Sequence, residues 1–241
     1  MNDENRQMPV SWEDELAKQA QEVSALERPQ VAQITLRAGI MAYAGTPIPN
    51  NALNCVIVAA TFERAVYPKF DPTVIAPPLC FAQSLDGQNM RPSEVVSKPF
   101  NDICETCENN QWVAEEGRRR KRCKEVRKLA LLSYMADGNY EEADLAVIRI
   151  PTMSVIAPKT GWSSYINQVA ATVKRPYYAV LTEIKVAPDM KTQFKVHFSF
   201  LGKLEQDAVI AIQARREFAE RILMTPYDLT QPEPVKGNVK F

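Results

Sequence analysis

This chain has few of the residues from which most enzymes build their sites. It has one histidine, His197, and eight glycines in 241 residues. A Ser-His-Asp or Cys-His mechanism has little to draw on, and no glycine-rich loop is present to wrap a nucleotide's phosphates. No apolar run approaches the roughly 18 residues needed to cross a bilayer, and residues 1–9 are too polar for a secretory signal. Internal repeats and low-complexity tracts are absent. Charge is balanced, with 29 basic and 29 acidic residues, so any site for a polyanion must be a local patch. These absences lead to the expectation of a cytoplasmic, non-enzymatic protein without membrane association. The hydrophobic fraction, 46%, is that of a globular chain able to bury a proper core.

What the chain does have is a set of cysteines. Cys55 sits in the apolar stretch 53–60 and reads as a small buried hydrophobe. The other four, Cys80, Cys104, Cys107 and Cys123, fall within 44 residues. Thiols stay reduced in the cytosol, which favours metal over disulfide. Cys104-Glu-Thr-Cys107 can put two thiolates on one tight knuckle, and Cys123 follows after 15 intervening residues, a normal zinc-ribbon loop. Cys80 lies upstream with 23 residues between it and Cys104, and is singly placed. A redox Cys-x-x-Cys pair would need a βαβ setting that the flanking sequence does not provide. The expectation is one structural zinc ion, Zn2+, held by these four cysteines.

Against the cysteines lies the strongest charge run in the chain. Residues 115–128 carry eight Lys or Arg against three Glu. Arg118, Arg119, Arg120, Lys121, Arg122, Lys124, Arg127 and Lys128 can contact phosphates and release counterions. Trp112 adjoins the run, and Phe62, Tyr67 and Phe70 precede the cysteine segment. Base stacking on such rings is what single-strand binders add to a charged groove. A solvated face for the charges, a docking patch, or core packing for the rings are the competing uses.

The hydrophobic pattern suggests a mainly β, α+β chain. Residues 11–27 have helical spacing behind Ser11. Residues 31–43 alternate as one strand and 54–66 as a second; 129–135 and 144–150 form two more around the turn Asp137-Gly138-Asn139. Residues 161–173 read as a helix, 178–186 and 193–201 as a hairpin, and 205–224 as a final amphipathic helix. Residues 80–126 lack periodicity and large aliphatics, so a metal would have to stabilise them. About six strands with a helix between the later ones fit an OB-fold-like barrel of five to six strands, with an inserted four-cysteine zinc-binding segment and a C-terminal helix. An antiparallel sandwich would give a similar pattern. The expected organisation is an N-terminal helix or arm over 1–30, a domain over 31–225 with an insertion at 78–127, and a flexible tail over 226–241.

Several stretches resemble a bacteriophage group of single-stranded DNA-binding proteins. They are Pro77-Pro78-Leu79-Cys80-Phe81-Ala82-Gln83-Ser84-Leu85-Asp86-Gly87, Cys104-x2-Cys107-x-Asn109, Arg122-Cys123-Lys124, Arg127-Lys128-Leu129-Ala130, Ile150-Pro151-Thr152-x-Ser154 and Trp162-Ser163-Ser164-Tyr165. The likeness covers roughly residues 50–225. It implies an OB-fold with a zinc ribbon, the four cysteines as ligands, and a role in phage replication or recombination. The basic segment departs from that group: Gly117 is followed by Arg118-Arg119-Arg120-Lys121-Arg122 where the group often carries a Gly-Lys-Gly-Lys run. The C-terminus, residues 235–241, also lacks an acidic tail. The function expected is sequence-tolerant binding of single-stranded DNA, with other replication or recombination proteins as further partners. The alternative is a zinc-knuckle adaptor that docks proteins in a phage replication or transcription complex.

Overall fold

The computed structural model describes residues 31–69, 74–115, 118–141, 143–227, 229 and 233–234, together with Trp12 and Leu16. The chain divides into two compact units, Met1–Val31 and Ala32–Phe241. In the first, Trp12 and Leu16 are helical and exposed, and the rest of the helix expected over 11–27 lies outside the described residues. The second unit carries the sheet and the candidate site.

Its strands, in chain order, are β1 (Ala32–Arg37), β2 (Ile40–Tyr43), β3 (Thr46–Pro47), β4 (Ala52–Val66), β5 (Val74–Ile75), β6 (Cys80–Ser84), β7 (Val113–Glu115), β8 (Arg118–Arg120), β9 (Lys124–Ser133), β10 (Leu145–Ile150), β11 (Val180–Asp189), β12 (Gln193–Lys203) and β13 (Glu233–Pro234). Its α-helices among the described residues are α1 (Thr152–Val155), α2 (Trp162–Gln168), α3 (Gln206–Ala214) and α4 (Arg216–Leu223). Nine strands join one curled, half-barrel sheet in the order β12-β11-β4-β9-β10-β1-β2-β3, with β6 attached to β4. All its pairings are antiparallel except β1 with β10.

Strand β4 organises the sheet. One edge pairs with β9 along most of its length. The other pairs first with β11, at Ala52–Cys55, and then with β6, at Phe62–Val66. A register shift between Ile57 and Ala59 changes which side chains face inward, as a bulge does by adding one residue to a period of two. Before it, Cys55 and Ile57 enter the core; beyond it, Ala60 packs on that core. The core is a closed layer of Ile34, Met41, Leu129, Leu131, Ile148, Ile150, Ile184, Val196 and Phe198, plugged by Val155, Trp162, Tyr165 and Val169 from the helical segment. The Tyr165 hydroxyl shares a 2.6 Å hydrogen bond with that of Thr182, so the buried polar groups satisfy each other. The opposite face of β4 and β9 is covered by α4, which buries Ala219 and Leu223.

Three local expectations change. The strand read over 31–43 is a hairpin, because Ala38 and Gly39 both adopt positive φ (50° and 79°) and reverse the chain between β1 and β2. The helix read over 205–224 breaks at Arg215, whose guanidinium turns away to donate to the carbonyls of Tyr140 and Ala143. The tail beyond 226 is tied at two points: Tyr227 stacks edge-on against Phe81, with ring centroids 4.9 Å apart, and β13 pairs with β5.

Candidate nucleic-acid interface

The cysteine segment starts and ends on the main sheet. Cys80 is the first residue of β6, and Cys123 immediately precedes β9. Between them the chain buries little. Among the described residues from 85 to 123, the buried apolar side chains are Met90, Val96 and the cysteines Cys104, Cys107 and Cys123. Backbone and amide bonds form the knuckle. Asn110 Nδ2 donates to the Cys104 carbonyl at 2.7 Å, and the Asn110 amide donates to the Cys107 carbonyl at 2.9 Å. The Cys123 amide donates to the Asn109 carbonyl at 2.7 Å, which brings the far end of the segment back onto the knuckle.

All four cysteines line one small cavity of ≈ 20 Å³, with Arg64 and Asn110 beside them. All are free thiols. Burial pushes Cys104 and Cys123 up to about 11; Arg64 pulls both back, and neighbouring cysteines raise them further. Cys80 is raised as well, again first by burial. Among the described residues, no group of three or more His, Cys, Asp or Glu side chains is set closely enough to hold a metal ion as it stands. Four thiols are a soft donor set of the kind that holds zinc, and the sulfurs would have to close together before they could bind an ion. Cys55 is separate, fully buried in the main core, and burial raises its pKa strongly.

The basic run is not a loop. Arg118–Arg120 form β8, which pairs with β7 as a two-stranded ribbon. Such a ribbon is marginal alone; Trp112 precedes its first strand, and Lys121, Arg122 and Cys123 follow its second. Beside it opens a cleft of ≈ 1190 Å³. The insertion and the start of β9 contribute Trp112, Arg119, Arg120, Lys121, Arg122 and Lys124. Across from them stand Tyr67 and Lys69 after β4, Arg149 on β10, Met153 on α1 and Phe194 on β12. Among the described residues that line the cleft, seven are Lys or Arg and one, Glu125, is a carboxylate. Glu125 is itself bound by Lys121 at 2.8 Å and Arg64 at 3.4 Å. Trp112 is 52% exposed, an unusual state for so large an apolar ring. Cys123 lines both the cysteine cavity and this cleft.

Of the residues expected to meet nucleic acid, Tyr67, Trp112, Arg119, Arg120, Lys121, Arg122 and Lys124 line this one cleft. Phe62, Arg127 and Lys128 do not. The Arg127 guanidinium lies 3.7 Å over the Phe62 ring, so each covers the other. Lys128 turns inward, donating to the Leu223 carbonyl at 2.7 Å, and burial lowers its pKa. Phe70 and the side chain of Arg118 lie outside the described residues.

The Phe62 position is also set by Gly87, at φ +73°, where a Cβ would come within 2.5 Å of the ring. Gly87→Ala should destabilise the protein by about 1–3 kcal/mol through overpacking and backbone strain. Urea unfolding measures this, and a change below ~0.5 kcal/mol would mean that the ring is free to move.

Sequence reasoning missed Lys69, Arg149 and Phe194 in the cleft. The signal for Arg149 was present: it is the one charge in Leu145-Ala146-Val147-Ile148-Arg149-Ile150. It also missed Glu63, fully buried on β4. Arg149 Nη2 donates to Glu63 Oε1, and the Tyr227 hydroxyl donates to the same oxygen at 2.8 Å. Burial works against the Arg149 cation, but Glu63, helped by Tyr227 and Tyr67, outweighs it and raises its pKa.

Comparison with protein-family models, with curated proteins and with solved structures returned no match.

Proposed function

We propose that this protein binds single-stranded nucleic acid, with DNA as the first candidate, without catalysing a reaction on it. The observation that carries the reading is the cleft: among its described lining residues are seven cations and one engaged carboxylate, with the exposed Trp112 and Tyr67 beside them. Charges of one sign serve the phosphates and exposed rings serve the bases.

The strand path supports it. β12, β11, β4, β9 and β10 are neighbours in the sheet, β4 pairs with both β9 and β11, and the helical segment falls between β10 and β11 in the chain. Taken in chain order, these pairings agree with an OB-fold reading of the curled sheet, in which the parallel pair β1–β10 would stand at the closing position. In such folds the loops after the first and fourth strands hold the oligonucleotide. Here the first is the cysteine insertion, and Phe194 follows the second. A zinc ion on Cys80, Cys104, Cys107 and Cys123 belongs to the same proposal. When bound, it would supply cross-linking and no chemistry, fixing Cys123 and so the base of the basic ribbon. A role in phage replication or recombination rests on the sequence resemblance.

Fluorescence anisotropy with a labelled oligothymidylate tests it. If half a dozen cations meet phosphates, log K should fall with log salt at a slope of about −4. Absence of salt-dependent binding at low salt would sink the proposal. A protein-docking knuckle would then take its place, favoured by the exposed apolar side chains of Leu79, Phe100 and Ile103 around the cysteine turn.

A further inference from the structure

The cleft floor holds an imbalance that the basic run does not explain. Glu63 is fully buried, and two cations surround it. Arg149 Nη2 donates to its Oε1, and Lys128 Nζ stands 3.9 Å from its Oε2. Tyr67 and Tyr227 complete the cluster, Tyr67 accepting from Arg149 Nη2 at 2.8 Å and Tyr227 donating to Glu63 Oε1. One carboxylate thus faces two cations. Lys128 is mostly covered, whereas the Arg149 side chain is 37% exposed and lines the cleft.

A guanidinium carries five N–H donors. The inward bonds of Arg149 use Nη2, and its Nε is buried without a partner among the described residues. These bonds take both N–H groups of Nη2, so Nη1 is the end of this anchored, charged group left to serve the cleft. A phosphate oxygen can accept a charge-assisted hydrogen bond from it.

We propose that Arg149 is a phosphate-binding residue on the floor of the cleft, and that a backbone phosphate of the bound strand seats there between the basic ribbon and the rim. This rests on the nucleic-acid reading above and adds a contact from the barrel itself.

Two variants test it on the full-length protein with labelled oligothymidylate. Arg149→Lys keeps a charge opposite Glu63 but loses the second nitrogen, by which one planar group can serve Glu63 and the cleft at once; affinity should fall about three- to tenfold with little change in salt slope. Glu63→Gln combined with Arg149→Met removes the buried pair together, avoiding an orphaned carboxylate; the salt slope should flatten by about 0.7, one phosphate contact on a single strand. Circular dichroism and the melting temperature report whether each variant folds. If the double variant does not fold, Arg149→Lys alone decides. Wild-type affinity in folded Arg149→Lys, or an unchanged slope and affinity in the folded double variant, overturns the inference and leaves Arg149 as the partner of Glu63 only. If the unaltered protein shows no salt-dependent binding, the functional reading fails first, and the inference with it.

Discussion

Replacing Arg119, Arg120, Lys121 and Arg122 by Ser will weaken oligothymidylate binding about a hundredfold or more near physiological salt, and will flatten the salt slope by about 3. These four residues line one wall of the cleft. Each phosphate contact on a single strand contributes about 0.7 to the slope, so the four together form most of the expected dependence. The replacement leaves the core intact, because Arg119, Arg120 and Arg122 are exposed and Lys121 is held by a partly exposed ion pair with Glu125. A control separates local contact from overall field. Lys185 and Lys203, exposed on β11 and β12, do not line the cleft. Their replacement by Ser changes net charge but should leave the slope where it was. Equal losses in both variants would mean that the chain attracts the polyanion without seating it in this cleft.

The parts of this site that could be read from sequence are those encoded by neighbours in the chain. Five consecutive basic residues next to a cysteine and a tryptophan form a local signal, and the structure places the described members together. Strands β4, β10, β11 and β12 were legible for the same reason, since alternation is a property of adjacent residues. Arg149 and Phe194 were not, because their place in the cleft depends on which strands become neighbours in the sheet. The error at Lys128 has a related cause. A lysine at the end of a basic run looks solvated, but Lys128 sits on the face of β9 that pairs across to Thr61 and Arg149, under α4 and beside Glu63. The bulge after Ile57 was equally invisible, yet it changes the register by which Phe62 meets Arg127. The 31–43 stretch failed differently: Ala38 holds a left-handed conformation that its identity does not advertise, and only Gly39 hinted at the turn.

Metal removal should have the second large effect, and it should be regional. Purified under reducing conditions, the protein should carry about one zinc per chain, and cobalt(II) in its place should show thiolate charge-transfer absorption. Chelation, or Cys104→Ala with Cys107→Ala, should speed hydrogen exchange through residues 85–123 while the core of Ile57, Leu131, Ile148 and Val196 stays protected. The reason is the distribution of burial. The main sheet closes over its own apolar layer, whereas the insertion has Met90, Val96 and the cysteines as its described buried apolar side chains. A segment with so little buried area offsets little of its conformational entropy, at about 1–2 kcal/mol per residue, so a metal cross-link would contribute a large share of its order. Because Cys123 belongs to both the cysteine cavity and the cleft, losing the ion should also loosen the β7–β8 ribbon and lower oligonucleotide affinity. Returning zinc should restore both. Protein with all thiols intact that carries no zinc or iron and takes up no cobalt would remove the metal from the proposal; the ribbon would then be held by the bond from the Cys123 amide to Asn109 and the ion pairs of Arg64 with Glu105 and Glu125.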